Sequence, residues 1–322
     1  MVIKEFESKL NKWGREQVPF LFFVDFELER PLAWKLSEVP KDILFSINGF
    51  ANCIPQSLDH KIVSILKHPI SFSAYKSKFD SVKDRIRQGD SYLTNLTIRT
   101  KIEVNCSLEE LFFRSTAKYK VCWKNKFLVF SPEIFIQIRD GKIFSYPMKG
   151  TIDASLQQAA ETILADAKEL SEHVTIVDLI RNDLSRVSDK VVVNRFRYVD
   201  EIQTSQKTLL QVSSEISGRL PKNHNYNIGS ILVSMLPAGS VSGAPKKKTL
   251  QIIHETEKMK RGYYTGVVGY FDGQDLDAGV MIRFIEQDEN QFYYRSGGGI
   301  TSQSVAETEY EEVLDKIYAP VY

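Results

Sequence analysis

Ile3, Phe6, Leu10 and Trp13 recur three and four residues apart, the period of one helical face, so the chain is predicted to begin with a short amphipathic helix docked on the body. Residues 19–26 and 43–49 are aromatic and β-branched runs bounded by turn residues, which predicts buried strands. A second helical stripe, Tyr75, Phe79, Val82 and Ile86, closes at Gly89, where a left-handed cap is expected. Beyond it, 89–97 reads as a turn entering an extended segment. Strands are expected near 98–104, 119–123, 126–130 and 134–138, with a tight hairpin at Asp140-Gly141. From Leu156 to Leu184 the pattern is helical, and 206–218 alternates like a strand. Helices over about 228–236 and 245–260 precede strands over 265–271, 278–285 and 291–296, and a helix over about 306–317 ends the pattern.

Strands and helices come in blocks rather than in strict alternation. That predicts an α+β fold, a single large domain of antiparallel β-sheets packed with helices. With 322 residues, 43% of them hydrophobic and 26% charged, the chain can bury a large core. A net charge of +1 gives no reason to expect nucleic acid or an anionic membrane surface as partner. No apolar run approaches the roughly 18 residues of a membrane span. The N-terminus mixes both charge signs, unlike a signal peptide, so a cytoplasmic location is expected. Cys53, Cys106 and Cys122 have neither paired nor metal-ligand spacing, which argues against a disulfide framework or a zinc site; Asn95 and Asn105 then match the glycosylation pattern by chance.

The candidate chemistry lies in a few short segments. Lys149, within Ser-Tyr-Pro-Met-Lys-Gly-Thr (145–151), is an amine between an apolar stretch and a Gly-Thr turn, placed to face a ligand. Glu169 and Glu172 share one helical face, and Glu309, Glu312 and Lys316 share another. Two such helices facing each other could hold Mg²⁺; the alternative is a pair of solvated faces, with Glu312 and Lys316 as a surface pair. Gly297–Gly299, after a strand, permit close approach of a ligand to backbone, or form a simple flexible turn. The 239–246 loop lacks Walker spacing, and Pro245 suits the start of a helix. Lys246-Lys247-Lys248 reads as a solvated helix face, and His173 as either a base beside Glu172 or a core histidine bonded to backbone.

In this order the segments resemble the chorismate-utilising enzyme family over roughly residues 75–320. The resemblance rests on 89–97, Ser131-Pro132-Glu133, Pro147 to Thr151, Lys168-Glu169 through Asn182-Asp183-Leu184, 239–246, Arg261 to Gly269, and 295–316. It makes 1–74 a shortened N-terminal part of the same domain and 75–322 the chorismate-binding catalytic core. Lys149 before Gly-Thr resembles the branch that makes 4-amino-4-deoxychorismate from chorismate and ammonia. Anthranilate-forming enzymes, the rival branch, typically have Ala there.

The resemblance implies Mg²⁺ bound directly by Glu172 and Glu312, with Glu169 and Glu309 acting through water. Arg283 and Tyr264, with amides near Gly298 and Gly299, would grip the enolpyruvyl carboxylate. Gly150, Thr151, Ser242 and Lys316 would line the same substrate pocket. Glu133 would be the general acid at the departing C4 hydroxyl, and Lys149 the nucleophile at ring C2, which requires a lowered pKa. Leu93 stands where the hydroxyl-transferring branch has its water-activating lysine, and Gln211 where many relatives have His. No cysteine of this sequence lies in a Gly-x-Cys-x-Gly elbow, so glutamine use would call for a separate glutamine amidotransferase subunit. A homologue that binds chorismate or an amidotransferase without turnover is the alternative from a different class.

Overall fold

The computed structural model describes residues 1–56, 62–203 and 208–321. The chain starts with α1 (Ile3–Arg15), β1 (Phe20–Val24), β2 (Leu32–Lys35), β3 (Ile43–Ile47), β4 (Phe50–Ala51) and β5 (Ile65–His68). Next come α2 (Phe72–Arg87), β6 (Leu93–Val104), α3 (Leu108–Arg114), β7 (Tyr119–Trp123), β8 (Phe127–Ser131), β9 (Ile134–Arg139), β10 (Lys142–Ser145) and β11 (Met148–Asp153). The middle of the chain holds α4 (Ala159–Ala165), α5 (Ala167–Ser185), β12 (Asp189–Gln203), β13 (Thr208–Arg219) and α6 (Ile228–Met235). The remainder is β14 (Gly243–Ala244), α7 (Lys246–Glu257), β15 (Val267–Phe271), β16 (Leu276–Val280), β17 (Phe284–Asp288), β18 (Gln291–Ile300) and α8 (Ala306–Asp315).

Every side chain of β1 is buried because the strand has a core on each face. Phe20, Phe22 and Val24 join one apolar cluster, and Leu21 and Phe23 another. Full burial of such a side chain is worth about 1.5–3 kcal/mol, so this short strand is a strong organiser. It belongs to an antiparallel sheet of order β11-β13-β10-β9-β16-β15-β1-β2, with β12 beside β13. The second antiparallel sheet runs β14-β6-β18-β17-β8-β7-β3-β4, with β5 beside β6. Leu21, Phe23, Phe45, Val121, Val129 and Val268 fill the space between the sheets. On the outer side of the first sheet, Phe6 and Leu10 of α1, Ile176 and Ile180 of α5 and Ile231 and Leu232 of α6 pack together. α2, α7 and α8 cover β6 and β18 of the second through Phe79, Ile252 and Val313. Residues 1–74 thus supply strands to both sheets.

The α+β expectation holds, with differences in detail. The predicted 156–184 helix is two, α4 and α5, because Asp166 is extended and caps α5 by accepting from Glu169 N at 2.8 Å. The single strand expected over 278–285 breaks into β16 and β17, and Arg283 sits in the break with φ +52°. β18 runs on through Gly297–Gly299 to Ile300, paired residue by residue with Thr94–Thr97 of β6; the glycines are strand, not a turn after one. Of the strand expected from 206, residues 206 and 207 lie outside the described residues.

Candidate active site

Lys149 stands on β11, opposite Val212 of β13, and Thr151 stands opposite Gln211. Gly150 between them is bulged out with φ +74°, a conformation glycine adopts freely. The bulge turns the strand beside α5, and Lys149 Nζ lies 3.4 Å from Glu172 Oε2. Glu169, one turn earlier, reaches the bulge itself: a methyl group on Gly150 would stand 3.0 Å from its Oε2.

The second carboxylate pair comes from α8, over the glycine stretch of β18. A methyl on Gly298 would stand 3.4 Å from Glu309 Oε2 and 3.7 Å from Glu312 Oε1. One on Gly299 would stand 3.0 Å from Leu93 Cδ1, 3.2 Å from Lys149 Nζ and 3.5 Å from Glu172 Oε2. The absence of side chains on β18 therefore opens the space in which Lys149 and both carboxylate helices meet. Lys316 donates to Glu312 Oε1 at 2.6 Å and to the Gly297 carbonyl at 3.0 Å. Lys168, given no role from sequence, donates to Glu309 Oε1 at 2.9 Å and lies 3.8 Å from Glu172 Oε1. Its four-residue spacing from Glu172 was the available signal.

Electrostatics couples the cluster. Burial alone would lower the Lys149 pKa, but Glu172, Glu312, Glu169 and Glu133 outweigh it and hold the amine above its ordinary value. Without a further cation the ammonium form is favoured, opposite to the depression a nucleophilic amine needs. Burial, reinforced by Glu172, raises the Glu169 carboxyl. Burial also acts on Glu312, yet Lys316 overrides it and keeps that carboxyl below the usual range. The Lys316 ammonium is lowered by burial, with Glu312 restoring only part.

Glu133, from the β8–β9 connection, accepts a hydrogen bond from Ser240 Oγ. Burial raises its carboxyl despite that bond and the positive charges of Lys149, Arg283 and Lys316. Ser240 escaped the sequence reading, which singled out its neighbour Ser242; the Ser242 hydroxyl is buried and donates to the Ala238 carbonyl at 2.9 Å. Arg283 Nε is buried with no hydrogen-bond partner, and the guanidinium lies 5.3 Å from the Tyr318 ring centre. Tyr264, 3% exposed, packs edge-on against Phe284, and burial pushes its phenol up to about 12. Thr151 is exposed.

Lys246 is not part of a solvated face as expected: it donates to Asp183 Oδ2 at 2.7 Å and to the Met235 carbonyl at 3.0 Å, joining α7 to α5 and α6. His173 is a core histidine, but its Nε2 bonds Ser214 Oγ at 2.7 Å rather than backbone. Among the described residues, no three His, Cys, Asp or Glu side chains are gathered to hold a metal ion as they stand. Glu172, Glu309 and Glu312 are instead each turned toward a lysine. No helix among the described residues is long and apolar enough to cross a membrane.

The sequence of the chorismate binding enzyme family matches residues 44–322. The chain belongs to that family. Within it, two proteins of similar length stand near this one: an uncharacterized PabA-like protein of Haemophilus influenzae, 48% identical over 99% of this chain and 97% of its own, and one of Pasteurella multocida, 48% identical over all of both. The aminodeoxychorismate synthase component 1 of Bacillus subtilis is 29% identical over 78% of this chain and 55% of its own length. The crystal structure of anthranilate synthase component I from Streptococcus pneumoniae superposes with a TM-score of 0.67 at 27% identity, covering 81% of this chain and 60% of that one. The family fold extends to the menaquinone-specific isochorismate synthase of Escherichia coli, TM-score 0.74 at 16% identity, over 97% of this chain and 80% of that one. The chain thus spans little more than half the length of these aminodeoxychorismate and anthranilate synthases.

Proposed function

We propose that this chorismate binding enzyme is an aminodeoxychorismate synthase component I, converting chorismate and ammonia to 4-amino-4-deoxychorismate and water. The observation that carries the reading is Lys149 Nζ, 3.4 Å from Glu172 and beside Gly299, an amine where an anthranilate-forming enzyme would have a methyl group. The resemblance to the Bacillus subtilis synthase supports it.

The donor set fits Mg²⁺ in kind. The ion takes hard oxygen ligands and typically needs only one or two carboxylates besides water and substrate. Glu172 and Glu312 would hold it directly, with Glu169 and Glu309 acting through water. Bound there, it would supply a template and Lewis acid for the ring carboxylate.

Arg283, with its unpartnered Nε, and Tyr264 would take the enolpyruvyl carboxylate, with the amides of Gly298 and Gly299. Gly150, Thr151, Ser242 and Lys316 would complete the pocket wall. The neutral Lys149 amine attacks ring C2, the diene shifts, and the C4 hydroxyl leaves as water on a proton from Glu133. Ammonia then adds at C4, and the reverse shift expels Lys149. Leu93, an aliphatic side chain against Gly299, cannot activate water for the competing addition. In a cytoplasmic setting the ammonia would come from glutamine through a separate amidotransferase subunit.

The test is mass-resolved chromatography of chorismate incubated with the protein, Mg²⁺ and excess ammonium, with and without a 4-amino-4-deoxychorismate lyase. 4-Aminobenzoate formed only when the lyase is present is the expected result. Anthranilate formed without the lyase would transfer the protein to the rival branch, and unchanged chorismate would favour a binding protein without turnover.

A further inference from the structure

Lys168 has no part in the scheme above, yet it makes the contact that joins the two carboxylate helices. From the first turn of α5 its ammonium reaches Glu309 Oε1 on α8 at 2.9 Å and comes within 3.8 Å of Glu172 Oε1 on its own helix. Glu309 is 1% exposed and Glu172 7%, whereas Lys168 is 29% exposed. The carboxylates are fixed and enclosed, and the cation between them has an open route to solvent. A buried carboxylate needs a compensating charge. With α5 and α8 brought together over β18, four carboxylates converge, and the lysines supply that compensation.

We infer that Lys168 is a built-in counter-cation, standing in for the divalent ion between α5 and α8 and swinging outward when the ion arrives. The inference rests on the Mg²⁺ reading of this site. Two consequences follow from the geometry. First, the metal-free protein is already assembled, because the Lys168–Glu309 contact holds the helices together before any ion is present. Second, metal loading is a competition: the ion must displace an ammonium from Glu309 and Glu172, so the observed affinity is weaker than the carboxylates alone would give. Lys316 cannot play this part in the same way, since it is also tied to the Gly297 carbonyl at 3.0 Å and its partner Glu312 is 42% exposed. Lys149 is held within strand β11 and is less exposed than Lys168, 21% against 29%. Lys168 is therefore a positioning residue whose effect is on metal affinity and on the stability of the empty site.

The experiment is calorimetric titration of MgCl₂ into the full chain and into Lys168→Met and Lys168→Arg, with thermal melting of each in chelator and in saturating Mg²⁺. The expected result is Mg²⁺ binding about tenfold tighter in Lys168→Met, a melting temperature below wild type in chelator, and recovery of most of that loss in Mg²⁺. Lys168→Arg, which keeps the charge, should bind Mg²⁺ near wild type. Weaker or unchanged binding in Lys168→Met, while the wild type binds, would overturn the role of Lys168 alone. No Mg²⁺ binding by the wild type would overturn the metal reading and this inference with it. If Lys168→Met does not fold in chelator, binding at fixed Mg²⁺ and the arginine variant still decide: an arginine variant that binds tenfold more tightly would contradict a charge competition.

Discussion

Arg261 donates through Nε to Glu257 Oε2 at 2.9 Å, and the pair is buried, with side chains 1% and 4% exposed. The same guanidinium donates to the Val241 carbonyl at 2.8 Å and the Asn95 carbonyl at 2.7 Å, while Glu257 accepts from Thr97 N at 2.8 Å. One ion pair therefore locks the 239–244 loop to the start of β6, the segment that pairs with Gly297–Gly299.

Breaking that pair should cost more than any surface contact. Arg261→Met leaves a buried carboxylate without its partner and strands two carbonyls, so a loss of about 3–5 kcal/mol is expected in urea unfolding. The double variant Glu257→Leu with Arg261→Met should cost less than the two single losses added together. Additive losses would show that the residues act independently.

Lys149→Ala should fold, because Glu172 keeps Lys168 within 3.8 Å. Aminodeoxychorismate formation should nonetheless fall by about a hundredfold or more, or the product should change. Unaltered turnover would end the nucleophile's part in the scheme.

The pH profile carries its own signature. Glu133 must be protonated and Lys149 neutral; burial raises the first pKa, and in the metal-free site nearby carboxylates raise the second. The product of those two fractions rises with pH up to the Glu133 pKa, then stays level until Lys149 titrates. In Glu133→Gln only the lysine requirement remains, so the level region should become a rise of about tenfold per pH unit, at rates about 10²–10⁴-fold lower. A variant that keeps the plateau would mean another group is the acid.

Gly299→Ala separates space from stability. The added methyl meets the flexible end of Lys149 at 3.2 Å and Leu93 Cδ1 at 3.0 Å, contacts that small movements relieve. Stability should change by less than about 1.5 kcal/mol. KM for chorismate should nevertheless rise severalfold, as measured by initial rates. An unchanged KM would place the substrate elsewhere.

His173 should make the fold acid-sensitive. Its pKa is lowered to about 4, chiefly by burial, with Arg197 and Lys149 adding to it. The unfolded chain takes up a proton below about 6.5 that the folded chain refuses until about 4. The resulting stability is complete above pH 6.5 and is lost as pH falls toward 4, by about 3 kcal/mol in all. His173→Asn should flatten that part of the stability curve in urea titrations at pH 7, 5.5 and 4; an equally steep variant would assign the acid sensitivity to other groups.

Much of the architecture was legible because period and burial agree. Tyr75, Phe79, Val82 and Ile86 face a single core, and the Asp140-Gly141 hairpin has both residues at positive φ. What escaped lacks such contrast. β12 carries Val192 and Phe196 half-exposed along the flank of β13 while Val191 and Val193 are only partly buried against the core, so its sequence shows little contrast between faces. α3 is only seven residues long, less than the period analysis can resolve, although its Ser107–Glu110 capping box was readable. Gly297–Gly299 leave close approach and a flexible turn equally open in sequence, because glycine is poor in strands; pairing with β6 overrides that preference.

At the site, the one-dimensional spacing placed each carboxylate pair on a helical face, but not the facing of the two helices. That depends on tertiary packing, as does the choice among partners. Ser240 rather than Ser242 reaches Glu133, and Lys246 turns inward to Asp183, for reasons that no local pattern encodes.

Lys149 and α5 belong to the first sheet's side of the molecule, whereas Gly298, Gly299 and α8 belong to the second. The reacting geometry is thus a seam between two layers, each of which could keep its own hydrogen-bonded ladder without it. A slip of an ångström or two between the layers would leave both sheets intact to spectroscopy and part the amine from the carboxylates. For this protein, catalytic competence is a gauge of how firmly the two layers are seated on each other, and it should be the first property to disappear as that seating loosens.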